Sequence, residues 1–198
     1  MRDLGDLGDD EVFVEETFSG ALGNKALKAM EFDACTFTGA SMLEGRLFGA
    51  MFTECRFVDC DLSLADLTNT SFVSCTFERS KFVGVAWGKL GASGLGQPYF
   101  TECKLDLSSF QRATAERWVF ERCSLTDVDF SQTKMMRTRF TDCDLTGARF
   151  ADADLRDVNL KGSYGYGIDL ASCRTKGVRL TPDDDALALL RQFGIQFD

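Results

Sequence analysis

Eight cysteines are the residues of this chain best suited to chemistry, as metal ligands or redox thiols: Cys35, Cys55, Cys60, Cys75, Cys103, Cys123, Cys143 and Cys173. A histidine partner for them is missing, because the 198 residues contain no His. That excludes a Ser-His-Asp triad, a Cys-His dyad and any zinc site that needs imidazole. A glycine-rich stretch, Gly91-Ala92-Ser93-Gly94-Leu95-Gly96, has the look of a phosphate loop but is not set between a strand and a helix. No nucleophile–base pair stands out, so the residues point away from an enzyme and call for no cofactor or metal. Clustered Lys/Arg for gripping phosphates is also lacking, since 31 acids outnumber 22 bases.

The elements that carry the cysteines explain them. From Leu22 to Trp87 every fifth residue is large and apolar, and a second phase of the same period runs from Phe100 to Leu180. Phe, Leu, Met or Trp fill 28 of the 31 slots, where composition alone would fill about a quarter. The misses are Ala115, Gly165 and Thr175. All eight cysteines stand two residues before a slot, where most units carry something small. There a thiol acts as a small buried apolar group.

A period of five fits neither a helix nor a strand. It fits a coil with one inward pair of residues per flat side and a turn between sides. The pattern Phe-x-x-Cys-x-(Phe/Leu) recurs every 20 residues within each half, at Phe32, Phe52 and Phe72 and again at Phe100, Phe120 and Phe140. Four pentapeptides therefore make one circuit. The expected fold is all-β: a quadrilateral parallel β-helix of about 8 coils, about 37 Å long at the ~4.8 Å strand spacing.

Three segments break the pattern. Residues 1–19 form an acidic N-terminal segment and cap before a solenoid over 20–181. Phe72 to Phe100 spans 28 residues, which reads as one circuit plus an eight-residue insertion at 88–98. Four glycines and Pro98 mark it as a loop. It is either a tolerated surface insertion or a contact element made by Lys89, Leu90, Gly91, Ala92, Ser93, Gly94, Leu95, Gly96 and Gln97. Leu90 and Leu95 favour contact, unless they fold back on the coil. Residues 182–198 read as a helix and tail, with Thr181 as N-cap, Pro182 in the first turn and Gly194 at the end. The helix covers the open end of the solenoid. Leu187, Leu190, Phe193, Ile195 and Phe197 exceed what a cap needs and suit two-fold dimerisation.

Charge is uneven. The two termini are acidic, while the solenoid between them balances. Sorted on the 20-residue period, the sides of Phe32, Phe37 and Met42 are net negative. The side of Leu47, Leu67, Met135 and Leu155 is net positive. This sorting assumes that the insertion does not rotate the sides. Glu54, Asp59, Asp61, Glu102, Asp127, Asp129, Asp142, Asp144, Asp152 and Asp169 are the candidate acidic surface. It is either plain solvated surface or a face that steers the rod toward a basic partner.

Ala65-Asp66-Leu67-Thr68-Asn69 and Ala153-Asp154-Leu155-Arg156-Asp157 resemble the Ala-(Asp/Asn)-Leu-x-x consensus of the pentapeptide repeat family, over residues ~20–180. Tyr164-Gly165-Tyr166-Gly167-Ile168-Asp169-Leu170, Gly177-Val178-Arg179-Leu180 and Gly194-Ile195 look like the Qnr-type, MfpA-type and albicidin and microcin B17 immunity branch. That resemblance implies a right-handed coil, C-terminal homodimerisation and a projecting loop. It also implies a DNA-mimicking role on DNA gyrase or topoisomerase IV that protects them from poisons, as resistance or self-immunity. A generic interaction rod unconnected with topoisomerase is the competing reading. No apolar run is long enough to span a membrane and the N-terminus lacks a signal-peptide layout. The expectation is a cytoplasmic protein with reduced thiols and no direct contact with nucleic acid or membrane.

Overall fold

The computed structural model describes residues 1–8, 11–91, 96–192 and 194. Twelve short strands and one helix follow in chain order. An eight-stranded parallel sheet joins β1 (Arg2–Asp3), β3 (Thr17–Ser19), β5 (Thr36–Thr38), β7 (Arg56–Val58), β9 (Thr76–Glu78), β10 (Tyr99–Thr101), β11 (Val119–Glu121) and β12 (Arg139–Thr141). A four-stranded parallel sheet joins β2 (Val12–Val14), β4 (Glu31–Asp33), β6 (Met51–Thr53) and β8 (Ser71–Val73). The other two sides are ladders of single parallel bridges, such as Ser41↔Asp61↔Lys81↔Lys104 and Ala26↔Arg46↔Asp66. The chain is a four-sided parallel β-solenoid closed by a short helix, α1 (Asp184–Arg191).

Each side has the same cross-section. In Arg56-Phe57-Val58 the Phe points in and its neighbours point out. The residue after them takes the corner in the left-handed region, as in Asp59 at φ 55° and Asn69 at φ 57°. Like residues stack on like. Phe37, Phe57, Phe77 and Phe100 lie parallel at 4.6, 4.9 and 4.7 Å between ring centres, and the adjoining Phe32, Phe52 and Phe72 column meets them edge-on. Each buried thiol donates to a carbonyl one coil back: Cys55 to Phe32 O at 3.3 Å, Cys60 to Phe37 O at 3.4 Å, Cys103 to Phe77 O at 3.4 Å. The thiols are a structural ladder. Burial pushes the Cys60 thiol up to about 11 and that of Cys123 up to about 12.

Two boundaries differ from the sequence reading. Pairing begins before residue 20, because Phe13 and Phe18 already stack on Phe32 and Phe37. Their offset is 19 rather than 20, and one residue fewer at that corner hides them. The insertion is three residues rather than eight. Phe100 pairs with Phe77, 23 positions earlier, and not with Phe72. Lys81↔Lys104 and Ala86↔Ser109 carry the same offset onto the next two sides.

The four sides are therefore reassigned. The first runs Phe13, Phe32, Phe52, Phe72 and, past the insertion, Ala115, Met135 and Leu155. The second is the eight-stranded sheet. The third holds Leu22, Met42, Leu62, Phe82, Leu105, Leu125 and Leu145. The fourth holds Leu27, Leu47, Leu67, Trp87, Phe110, Phe130 and Phe150. Met135 and Leu155 do not share a side with Leu47 and Leu67, so the expected net-positive side does not exist as one surface.

At the C-terminus Asp183, not Thr181, is the N-cap. Its carboxylate accepts the Ala186 N–H at 3.0 Å. Thr181 is engaged elsewhere, its Oγ1 accepting the Gly162 N–H at 2.8 Å, and Pro182 lies before the helix. Ala186 and Leu189 face the last coil, where Tyr166 and Ile168 are buried although neither occupies a slot of the five-residue period.

One corner carries a liability. Leu107 sits at φ 60° with 64% of its surface exposed. A side chain in that region costs roughly 1–2 kcal/mol, which Asn tolerates better. We expect Leu107→Asn to raise stability by about 0.5–1 kcal/mol in urea unfolding. A lowered midpoint would show that Leu107 packs more than its exposure indicates.

Candidate protein-interaction surface

The insertion replaces the first-side strand of one coil. A 3-10 turn, Trp87–Lys89, leads into it. Its near leg is built into the rod: Asn69 N–H donates to Lys89 O at 2.9 Å and Gly91 N–H to Thr70 O at 3.0 Å. Leu90 is half-buried against the core rather than projecting. The far leg returns at Gly96, where an added Cβ would meet Ser74 N at 2.2 Å and Val73 Cα at 2.8 Å, so only glycine fits. Gln97 is exposed. Ala92, Ser93, Gly94 and Leu95 lie outside the described residues.

The ten candidate acids do not form one surface. Asp61, Asp129, Asp144 and Asp169 serve the fold: each accepts the N–H two residues on, as in Ser63 N–H to Asp61 at 3.0 Å and Thr146 N–H to Asp144 at 2.9 Å. Asp59 and Glu102 belong to a corner column of alternating charge, Asp59, Arg79, Glu102, Arg122, Asp142. Arg79 Nε reaches Asp59 at 2.8 Å and holds its carboxyl below the usual range, and Arg122 Nε reaches Glu102 at 3.2 Å. Arg79 and Arg122 also pair with Glu78 and Glu121. Glu54, Asp127, Asp142 and Asp152 stand exposed at corners of four different sides, with no ion pair among the described residues.

One acidic stripe without an ion pair among the described residues emerges, and the candidate set misses it apart from Glu54. The first side, on the N-terminal flank of the insertion, carries Glu11, Glu15, Glu31, Asp33 and Glu54 and no base. Beyond the insertion the same side is mixed and net positive: Arg117, Lys134, Arg137, Arg156, Arg174 and Lys176 stand with Glu116, Asp154 and Asp157, and Arg137 and Arg174 pair with Asp157 and Asp154. Sorting by the correct register reveals this change of charge balance, and the insertion lies between the two stretches.

At the C-terminal end Leu187 is half-buried and Leu190 is 40% exposed. Leu190 lines an open cavity of about 240 Å³ together with Ile168, Leu170, Val178, Leu180 and Leu189. Phe193, Ile195 and Phe197 lie outside the described residues. Among the described residues, no group of three or more His, Cys, Asp or Glu is placed to hold a metal, and no helix is long and apolar enough to cross a membrane.

Short parallel rungs, a stacked aromatic core and left-handed corners define the class as a quadrilateral β-solenoid built from five-residue units. The chain belongs to the pentapeptide repeat family. The model for pentapeptide repeats (8 copies) matches residues 31–69 and 46–84, and that for a pentapeptide repeat region matches 93–170. Among solved structures, a trypsin-treated variant of QnrB1, a plasmid-mediated fluoroquinolone resistance protein, superposes with a TM-score of 0.57 at 21% identity. The match covers 96% of this chain and 99% of that one. Full-length QnrB1 gives 0.48 at 20%, covering 95% and 99%. HetL from Nostoc sp. strain PCC 7120, involved in heterocyst differentiation regulation, gives 0.40 at 16%, covering 86% of each chain. A search of the curated proteins returned no significant match.

Proposed function

We propose that this chain is a cytoplasmic, non-enzymatic protein that binds DNA gyrase or topoisomerase IV and protects it from poisons. In this reading the rod acts as a partial mimic of duplex DNA. The observation that carries it is the acidic stripe from Glu11 to Glu54 along the first side, which has no ion pair among the described residues. Such a stripe suits the basic surface on which a topoisomerase holds DNA, and the loop adds specific contacts beside it. The alternating corner column of the second side and the mixed, net-positive far half of the first side point to a one-sided, half-length mimic rather than a uniformly anionic rod. The fold it shares end to end with QnrB1 is one that a fluoroquinolone resistance protein uses. Homodimerisation through the C-terminal end rests on exposed Leu190 and the open apolar cavity beside it.

The test is a gyrase cleavage assay with a quinolone and with a peptide poison. Protection should appear as less linear DNA at protein concentrations that leave supercoiling intact. Glu31→Lys with Asp33→Lys should raise the protein concentration needed by roughly tenfold or more, through lost charge complementarity. Deleting 92–95 should act similarly. Lys89 and Gly91 must be kept, because their backbone groups belong to the ladder. No protection against several poisons with a cognate gyrase would remove the topoisomerase reading and leave a general interaction rod.

A further inference from the structure

The two sheets start differently at the N-terminal end of the rod. The long sheet starts with β1, two charged residues, Arg2 and Asp3. The four-stranded sheet starts with β2, Val12-Phe13-Val14, whose one neighbour is β4. Phe13 points in, while Val12 and Val14 are 64% and 56% exposed. At the opposite edge of the same sheet, the far leg of the insertion lies against Val73 and Ser74.

The ladder shows which backbone groups of β2 are open. Glu31 N–H donates to Glu11 O at 3.1 Å, and Glu15 N–H donates to Asp33 O at 2.9 Å. Alternate residues of a strand turn both backbone groups to the same edge. Phe13 therefore faces the next coil, together with Glu11 and Glu15. The N–H and C=O groups of Val12 and Val14 face the other way and have no partner among the described residues. Native proteins blunt such edges with Lys, Pro or a cover. Here two β-branched residues hold the edge in strand form instead.

The surroundings select the occupant. Asp9, Asp10 and Glu11 precede the strand, and Glu15 and Glu16 follow it. The Arg2 guanidinium stands over Phe13, 5.2 Å from the ring centre, and pairs with Glu16 at 2.6 Å. A second copy laid antiparallel on this edge, centred on Phe13, would set Glu11 against Glu15 at both ends. Like charges opposed across strands are destabilising. We infer that β2 accepts an extended segment of a partner protein as an added strand, with small or β-branched side chains along the rung and Lys or Arg at both ends. Its backbone pairs with Val12 and Val14, and its ends pair with Glu11 and Glu15. Its inward residue is small, because Arg2 already covers Phe13. The inference stands apart from the topoisomerase reading, which uses the face of this side rather than its edge, and its test contains no gyrase.

The test is fluorescence anisotropy at constant ionic strength with the labelled peptide Lys-Lys-Val-Ala-Val-Lys-Lys, which reads the same in both directions. Saturable binding is expected. Lys-Lys-Pro-Pro-Pro-Lys-Lys carries the same charge without rung donors and should bind roughly tenfold more weakly or worse. Val14→Pro removes an edge donor while leaving the Phe13 and Glu15 bonds to β4, and should weaken the first peptide by roughly tenfold. Glu11→Lys with Glu15→Lys keeps every backbone donor and should weaken it similarly, whereas Glu54→Lys, two coils away, should not. Equal binding of the two peptides, parental affinity in Val14→Pro or in the Glu11 and Glu15 variant, or an equal loss in Glu54→Lys would overturn the inference. So would a parent that dimerises in sedimentation beside a Val14→Pro variant that does not, which would give the edge to a second copy.

Discussion

Replacing Phe57 by Ala should cost about 3–5 kcal/mol, among the largest effects of any single substitution in the rod. Phe57 is fully buried, with Phe37 and Phe77 stacked on its two faces at 4.6 and 4.9 Å and Phe52 and Phe72 edge-on at 5.4 and 5.9 Å. Coils interact mainly with their neighbours, so the loss falls on two interfaces at once. With an m-value of about 2 kcal/mol/M, the urea midpoint should fall by roughly 2 M. Phe57→Leu should recover most of this, since Leu62, Leu105 and Leu125 fill the equivalent slot one side away. A shift under about 0.5 M for Phe57→Ala would mean that the ring columns do not hold the coils together.

The second large effect is with pH. The thiols of Cys60 and Cys123 are raised by burial to about 11 and about 12, and burial raises that of Cys75 as well. Unfolded thiols ionise near 8.5–9. Below that pH both states keep the proton, and the stability is intact. Above it the unfolded chain ionises while the folded chain does not, so stability falls as pH rises, by about 1.4 kcal/mol per pH unit for each such thiol. Cys60 and Cys123 together should remove about 5 kcal/mol between pH 9 and 11, comparable to the whole stability of many domains. Urea midpoints at pH 8, 9, 10 and 11 measure the slope. Cys60→Ala with Cys123→Ala should make it shallower by these two thiols' share while keeping the fold, because Ala40, Ala50 and Ala65 already occupy this slot in other units. An unchanged slope in that double variant would assign the alkaline loss to other groups.

The five-residue period makes the architecture and most of the core readable, and it places the cysteines inward. It does not fix the register across the insertion, for a simple reason. Insertions of three and of eight differ by one unit of five, so both shift the phase of the apolar slots by the same amount. The Phe-x-x-Cys motif recurs in both halves but on different sides, since the first and second sides both accept Phe. Only the pairing of Phe77 with Phe100 settles the question. Every conclusion about charged sides depends on it, and so the acidic stripe stays hidden in the sequence. Single acids look like plain surface, although Asp61 and Asp144 are turn acceptors and Asp59 has an arginine on the next coil. The N-cap signal at Thr181 misleads because that hydroxyl has a partner 19 residues away.

The parallel ladder also sets how the rod responds to force. Its backbone hydrogen bonds run along the axis, and β1 and β12 are the two edges of the long sheet. Tension applied through the ends therefore meets these bonds head-on and not in shear. A coil held by bonds on all four sides must be peeled side by side before the next is loaded. Each released coil of 20 residues would yield about 70 Å of extended chain in place of ~4.8 Å of rod. The molecule is thus a stack of equal, weakly coupled links, soft when pulled lengthwise and stiff when pressed from the side, where the stacked rings fill the section.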